Sequence, residues 1–202
     1  NATEKAKAII AGAVEKARLL QDIGSTRVPV TKDVLVIGGG IAGMHGSLEL
    51  TDKGFHVHMV EKQETIGGHM VQFDRVFPTD DCAMCTSSPI LADVAMDPLI
   101  DIYSLSEVIE VRGRPGEYIV KIRRNPRYVD ESKCTACGDC TTHCPVEAWS
   151  EWRYGMAVRS AIDKPLAQAV PLKNRIYNDT CIRCGTCENV CKADAVLYNQ
   201  EP

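Results

Sequence analysis

Eight cysteines set at one spacing, used twice, restrict this chain more than any other feature. Residues 134–145 read CTACGDCTTHCP and residues 181–191 read CIRCGTCENVC, so C-x2-C-x2-C-x3-C occurs twice. That run holds cubane [4Fe–4S] clusters: three closely spaced thiolates sit on one tight loop and reach three irons of one cube, while the fourth points to the other cube. Cluster one is therefore expected to take Cys134, Cys137, Cys140 and Cys191, and cluster two Cys181, Cys184, Cys187 and Cys144. Structural zinc uses two C-x2-C knuckles with a longer spacer rather than four cysteines within eleven residues. Disulfides need an oxidising compartment, and nothing in the sequence points to secretion. Lys192 stands where a proline often follows the fourth cysteine; Pro145 fills that place in the first run. Its positive charge is expected to raise a nearby cluster's potential slightly.

With 202 residues the chain has room for one or two modest cores. Apolar content of 45% and charged content of 25% fit an ordinary globular protein. No Lys/Arg block suggests nucleic-acid binding, and no apolar run is long enough to span a bilayer. The first residues, NATEKAK, are not followed by the apolar core of a signal peptide. Cysteines confined to short-spaced groups suit a reducing cytoplasm, and oxygen-sensitive clusters suit an anaerobic setting.

The second strong signal is a strand, DVLVIG at 33–38, running straight into a glycine turn. Gly38, Gly40 and Gly43 form G-x-G-x-x-G, a helix is expected from Ile41 to about Lys53 with Gly54 as its cap, and HVHMVE at 56–61 is a second strand. Gly38 permits the tight turn, Gly40 lets backbone approach a pyrophosphate, and Gly43 lets helix and strand pack closely. Free N–H groups at the helix start face the phosphate, and Glu61 is placed to accept from a ribose hydroxyl. The motif alone does not choose between FAD and NAD. Lys62 opens the next loop, where the Gly67-Gly68 pair is similar to the second loop of two-dinucleotide-domain flavoproteins; that favours FAD.

Elsewhere the signals are weaker. Residues 4–20 place Ile9, Ile10, Ala13, Val14, Ala17 and Leu20 on one helical stripe, read as an amphipathic helix packed on something in the chain or on a partner rather than on a membrane surface, because the stripe is narrow and lacks aromatics. Residues 21–32 read as a linker. Cys82 and Cys85 form a third C-x2-C with three readings: half of a metal site completed elsewhere, a dithiol beside the flavin, or idle thiols. Residues 88–97 read as helix. The runs at 100–104, 107–112 and 117–123 read as strands of an antiparallel insert. Residues 146–180 have no clear period. His69 and His143 read as solvated or hydrogen-bonded rather than as ligands, and Asp80 and Asp81 as caps of the next turn.

Five collinear stretches, VIGGGIAGMHG, VEKQETIGGHM, FPTDDCAMC, RNPRYVDESKCTACGDCTTHCPVEA and AQAVPLKNRIYNDTCIRCGTCENVC, give nearly the whole chain a resemblance to the A subunits of heterodisulfide reductases and to relatives in quinone-interacting oxidoreductases. The resemblance implies an α/β fold: a thioredoxin-reductase-like, Rossmann-type FAD half with an inserted α+β ferredoxin domain carrying two [4Fe–4S] clusters. By the same resemblance Gly38, Gly40, Gly43, Glu61, Lys62, Gly67 and Gly68 carry over to FAD, and the eight cysteines to the two cubanes. Cys82 and Cys85 match a family pair associated with a further cluster, whose remaining ligands lie outside this chain. In the family electrons pass between flavin, clusters and partner subunits of heterodisulfide reductase B/C, hydrogenase or dehydrogenase type, and in some members the flavin bifurcates them.

The expected domains are a helix and linker at 1–32, an incomplete FAD-binding domain at 33–127 and a two-cluster domain at 128–202. Two functions are carried forward. One is an oxidoreductase subunit passing electrons between FAD and clusters; the other is a ferredoxin-type carrier or docking module without a functional flavin. Strands and a glycine–aspartate loop that would cover the flavin ring are not found before residue 202, so these 202 residues alone are expected to assemble clusters and to hold FAD weakly or not at all.

Overall fold

The computed structural model describes residues 1–25 and 27–202, so Thr26, inside the expected linker, lies outside the described residues. The chain divides into two compact units, Asn1–Val30 and Thr31–Pro202. In the first, α1 (Ala2–Arg18) starts where the Asn1 side chain accepts from the Thr3 N–H at 3.2 Å. Glu4 lies in its first turn and Lys16 and Arg18 in its last, the charge order that a helix dipole favours.

The second unit opens with β1 (Asp33–Ile37), α2 (Ile41–Thr51) and β2 (His56–Val60). A short 3-10 turn, Gly68–Gln72, and the two-residue strands β3 (Arg75–Val76) and β4 (Asp81–Cys82) lead into α3 (Ala83–Met96) and β5 (Ile100–Tyr103). β1, β2 and β5 form a parallel sheet in that order, with Val57 opposite Ile100 and Val60 opposite Tyr103. This corrects the expectation that the run at 100–104 belongs to an antiparallel insert. α3 is a crossover of 14 residues, long enough to return the chain in parallel, and Ile100 joins the core lined by Met44, Val57, Met59, Ile66, Leu91 and Val94. α3 also begins earlier than expected, because the Cys82 sulfur accepts from the Cys85 N–H and caps it. Asp80 is not a cap; it pairs with Arg75 at 3.2 Å.

The insert is the hairpin β6 (Ser106–Arg114) and β7 (Glu117–Arg124), with a register shift between Val108 and Glu110. Beyond it α4 (Asp139–Thr142), β8 (Glu147–Trp149), β9 (Val158–Ser160), β10 (Ile162–Asp163), β11 (Arg175–Ile176) and α5 (Thr186–Val190) make a second small core around Val129, Ile162, Ile176, Ala195 and Val196. The strands in 146–180 are only two or three residues long, too short for their period to show in sequence. A bridge between Val129 and Val196 closes this module. Among the described residues no helix is long and apolar enough to cross a membrane.

The two cores of this unit are tied by polar contacts. Arg127, 3% exposed, donates from Nη2 to the Glu64 carbonyl at 2.9 Å and to Ser104 Oγ at 2.8 Å, and from Nε to Glu131 at 2.7 Å. Tyr177 donates to Glu64 Oε1 at 2.7 Å, and Val170 bridges to both Thr65 and Ile66.

Glycines in α2 offer a paired test. A Cβ on Gly43 would run into the Gly38 carbonyl oxygen, whereas one on Gly46 meets open space. Gly43→Ala is expected to destabilise the unit by about 3 kcal/mol through overpacking against backbone. Gly46→Ala is expected to stabilise it by roughly 0.5–1 kcal/mol by restricting the unfolded chain. Chemical denaturation of both variants checks the opposite signs.

Candidate dinucleotide cradle and cluster cavities

The glycine turn sits between the end of β1 and the start of α2. Gly38 has a φ of +98° and donates its N–H to the Val60 carbonyl at 2.8 Å, fixing the turn to β2. Gly40 is the N-cap of α2 and no side chain caps it, so the first-turn N–H groups face outward. Gly67 donates to the Gly39 carbonyl at 2.7 Å, and a Cβ on Gly68 would stand 3.0 Å from the Gly40 Cα. The two glycine loops therefore lie against each other. No non-neighbouring heavy atom approaches within 4 Å of a Cβ built on Gly38 or Gly40, so open space lies beside the turn's backbone, where a pyrophosphate could approach it.

Glu61 is 6% exposed. One carboxylate oxygen accepts from the Gly39 N–H at 2.7 Å and the other from the Gln63 N–H at 2.8 Å. Glu61 thus braces the glycine turn itself, with lone pairs remaining for a ribose hydroxyl. Lys62 is exposed at the lip of this loop.

The cysteine runs fold into matching loops. Ala136 and Arg183 have φ of 55° and 54°, and Gly138 and Gly185 of 93° and 77°. Those left-handed residues turn backbone N–H groups inward: Ala136 N–H donates to Cys134 Sγ and Arg183 N–H to Cys181 Sγ, each at 3.4 Å. Cys134, Cys137, Cys140 and Cys191 line one cavity of about 310 Å³. Cys144, Cys181, Cys184 and Cys187 line a narrower one of about 20 Å³. Each cavity thus draws three cysteines from one run and one from the other, and four sulfurs make the donor set that an iron–sulfur cluster takes.

Several supporting residues have no signature in the sequence. Asn174, 1% exposed, donates from Nδ2 to Cys140 Sγ at 2.8 Å, and the Tyr198 hydroxyl lies 3.0 Å from Cys187 Sγ. The Lys173 and Lys164 ammonium groups donate to the carbonyls of Cys134 at 2.6 Å and Ala136 at 3.1 Å. Burial pushes the Cys140 and Cys187 thiols up. A bound cation would supply the charge that ionises them.

Cys82 and Cys85 lie at the start of α3, paired sulfur to sulfur with their Cα atoms 5.2 Å apart. Among the described residues no further cysteine joins them, the other eight being those of the two cavities. His69 Nδ1 lies 2.8 Å from Gln72 Oε1, and His143 Nδ1 lies 2.8 Å from the Asp139 carbonyl; both are hydrogen-bonded.

Two domain families match: a 4Fe-4S dicluster domain over residues 133–196 and an NAD(P)-binding Rossmann-like domain over residues 36–94. The full chain is 47% identical to the iron-sulfur A subunit of the CoB–CoM heterodisulfide reductase of Methanocaldococcus jannaschii and covers 31% of that protein. It is 50% identical to the second of the A subunits of the same name from Methanopyrus kandleri, again covering 31%. Against the A subunit of the H2:CoB-CoM heterodisulfide,ferredoxin reductase of Methanothermobacter marburgensis it is 45% identical and covers 30%. In each case all of this chain is matched, and it spans about a third of the relative's length. A Rossmann-like domain joined to a dicluster domain is thus present, and the whole chain is similar, at 45–50% identity, to about a third of each of these heterodisulfide reductase A subunits.

Proposed function

We propose that the chain is the electron-transferring core of an oxidoreductase subunit, with FAD in the Gly38–Gly68 cradle and one [4Fe–4S] cluster in each cysteine cavity. The observation that carries this reading is that a nucleotide cradle and two four-cysteine cavities occur in one compact unit, tied together by Arg127 and Tyr177. Bound flavin would exchange electrons in pairs or singly, and the clusters would relay them singly.

The residues supply the rest. The start of α2 and the glycine backbone hold the pyrophosphate, and Glu61 orients the ribose while bracing Gly39. Gly67 and Gly68 bring the second loop close to the nucleotide, with Lys62 beside it. Cys134, Cys137, Cys140 and Cys191 hold cluster one, and Cys181, Cys184, Cys187 and Cys144 cluster two. Cys82 and Cys85, once a two-electron reductant has opened their sulfur–sulfur pair to thiolates, are assigned to a third metal site completed from outside this chain. The relatives are named as heterodisulfide reductase subunits, so the electrons are proposed to pass to partner subunits that reduce a disulfide. A reducing cytoplasm is the proposed setting, since it suits clusters and free thiolates.

A ferredoxin-type carrier without flavin is the second reading, favoured by Glu61 already holding two backbone N–H groups. Anaerobic reconstitution with FAD separates the two: a flavin absorption band that survives gel filtration supports the first, and its absence from the complete subunit, rather than from residues 1–202 alone, supports the second.

Two further outcomes are expected. Cys191→Ala should lower iron from about eight to about four per chain and remove the cluster bound by Cys134, Cys137 and Cys140, although Cys191 lies in the other run. Loss of the cluster bound by Cys181, Cys184 and Cys187 instead would refute the crossed arrangement. Asn174→Leu and Tyr198→Phe each remove one hydrogen bond to a ligand sulfur and leave that sulfur richer in electrons. Each should lower the potential of its own cluster by about 60 mV, a tenfold change in a one-electron equilibrium, in an EPR-monitored titration.

A further inference from the structure

We propose that the open face of the parallel sheet carries a divalent transition-metal site of the zinc class, built from His56, His58 and Asp33. Strand alternation sends Val57 and Met59 into the core, so His56 and His58 project together from the opposite face. Asp33 on β1 is in register with His56, and Asp101 on β5 with His58, so the two imidazoles stand between two carboxylates.

The separations suit a metal. His56 Nδ1 and His58 Nε2 are 3.3 Å apart, and Asp33 Oδ1 lies 3.9 Å from each. A point equidistant from those three atoms is about 2.2 Å from each, against the roughly 2.0–2.2 Å of zinc–nitrogen and zinc–carboxylate bonds. Ligation needs bare nitrogens at those two positions, which puts the ring protons on His56 Nε2 and His58 Nδ1. Both of those atoms face Asp101 Oδ2, at 3.7 Å and 3.4 Å, and the Tyr103 hydroxyl is 3.5 Å from His58 Nδ1. The carboxylate that would fix the required tautomer of both ligands is therefore in place, as it is behind most metal-bound histidines.

Two imidazoles and one carboxylate form a three-ligand set with the fourth position left to water, an exchangeable site rather than a closed structural one. This assignment is independent of the flavin and of the clusters.

The test uses the full chain with its clusters loaded anaerobically, so that the cysteines are occupied, equilibrated with chelator-buffered zinc. Wild type is expected to retain one zinc per chain more than His58→Gln or Asp33→Asn, with affinity at least tenfold weaker in each variant and iron content unchanged. The zinc absorption edge should report nitrogen and oxygen neighbours. Equal zinc retention in the variants, or a sulfur shell at about 2.3 Å, overturns the site. Should His58→Gln lose iron through misfolding, Asp33→Asn decides alone, since that carboxylate is 59% exposed and its removal leaves the packing intact.

Discussion

The buried Arg127 guanidinium is the contact on which the second unit's organisation depends. It leaves water to bind a carbonyl and a hydroxyl of the Rossmann side, and it is paired there with the Glu131 carboxylate. Hydrogen bonds to a charged group are each worth about 1.5–3 kcal/mol, so this one side chain outweighs the exposed ion pairs along β6 and β7, worth about 0–1 kcal/mol each. Glu131 shows the same balance. Burial works to raise its carboxyl, but the Arg127 and Arg124 guanidinium groups outweigh that and hold it below the ordinary range.

A second polar contact runs parallel to the first. Tyr177 is stacked under Arg159, whose guanidinium carbon is 3.5 Å from the ring centre, and its hydroxyl reaches Glu64 three residues beyond Glu61. Burial and the Glu64 carboxylate push that hydroxyl well above the usual range, so it stays protonated and remains a donor. The loop that follows the second strand is thereby held by the module that carries the cysteines. Whatever occupies the glycine cradle and whatever occupies the cavities are bridged by fixed, low-entropy contacts rather than by a flexible hinge.

What the sequence reveals tracks how local each requirement is. The cysteine runs and the glycine turn state their demands within a dozen residues, so the Rossmann-like and dicluster halves are legible before any coordinates. Ile100 reads into the wrong sheet because alternation fits a parallel strand as well as an antiparallel one; the length of α3 decides it. Asn174 and Tyr198 are illegible, since they reach Cys140 and Cys187 across 34 and 11 residues with no fixed spacing. Cys82 reads as a cysteine with several open roles, and its service as a helix cap shows only in three dimensions. His56 and His58 do leave a trace, an imidazole at every second position of a strand whose intervening residue is apolar. That pattern does not reveal Asp33 and Asp101, which only the sheet register brings alongside.

The exchange of Cys144 and Cys191 between the two cavities makes the pair an interlocked object. Neither four-sulfur set exists until residues 146–180 have folded and brought the second loop beside the first. Assembly is then cooperative: a chain with only its first run folded has three sulfurs for one cube and a stranded fourth, and filling one cavity preorganises the other by fixing the cysteine it borrows. A lent cysteine lost from either run is therefore felt first in the cavity it is lent to, not in the cavity its own loop encloses.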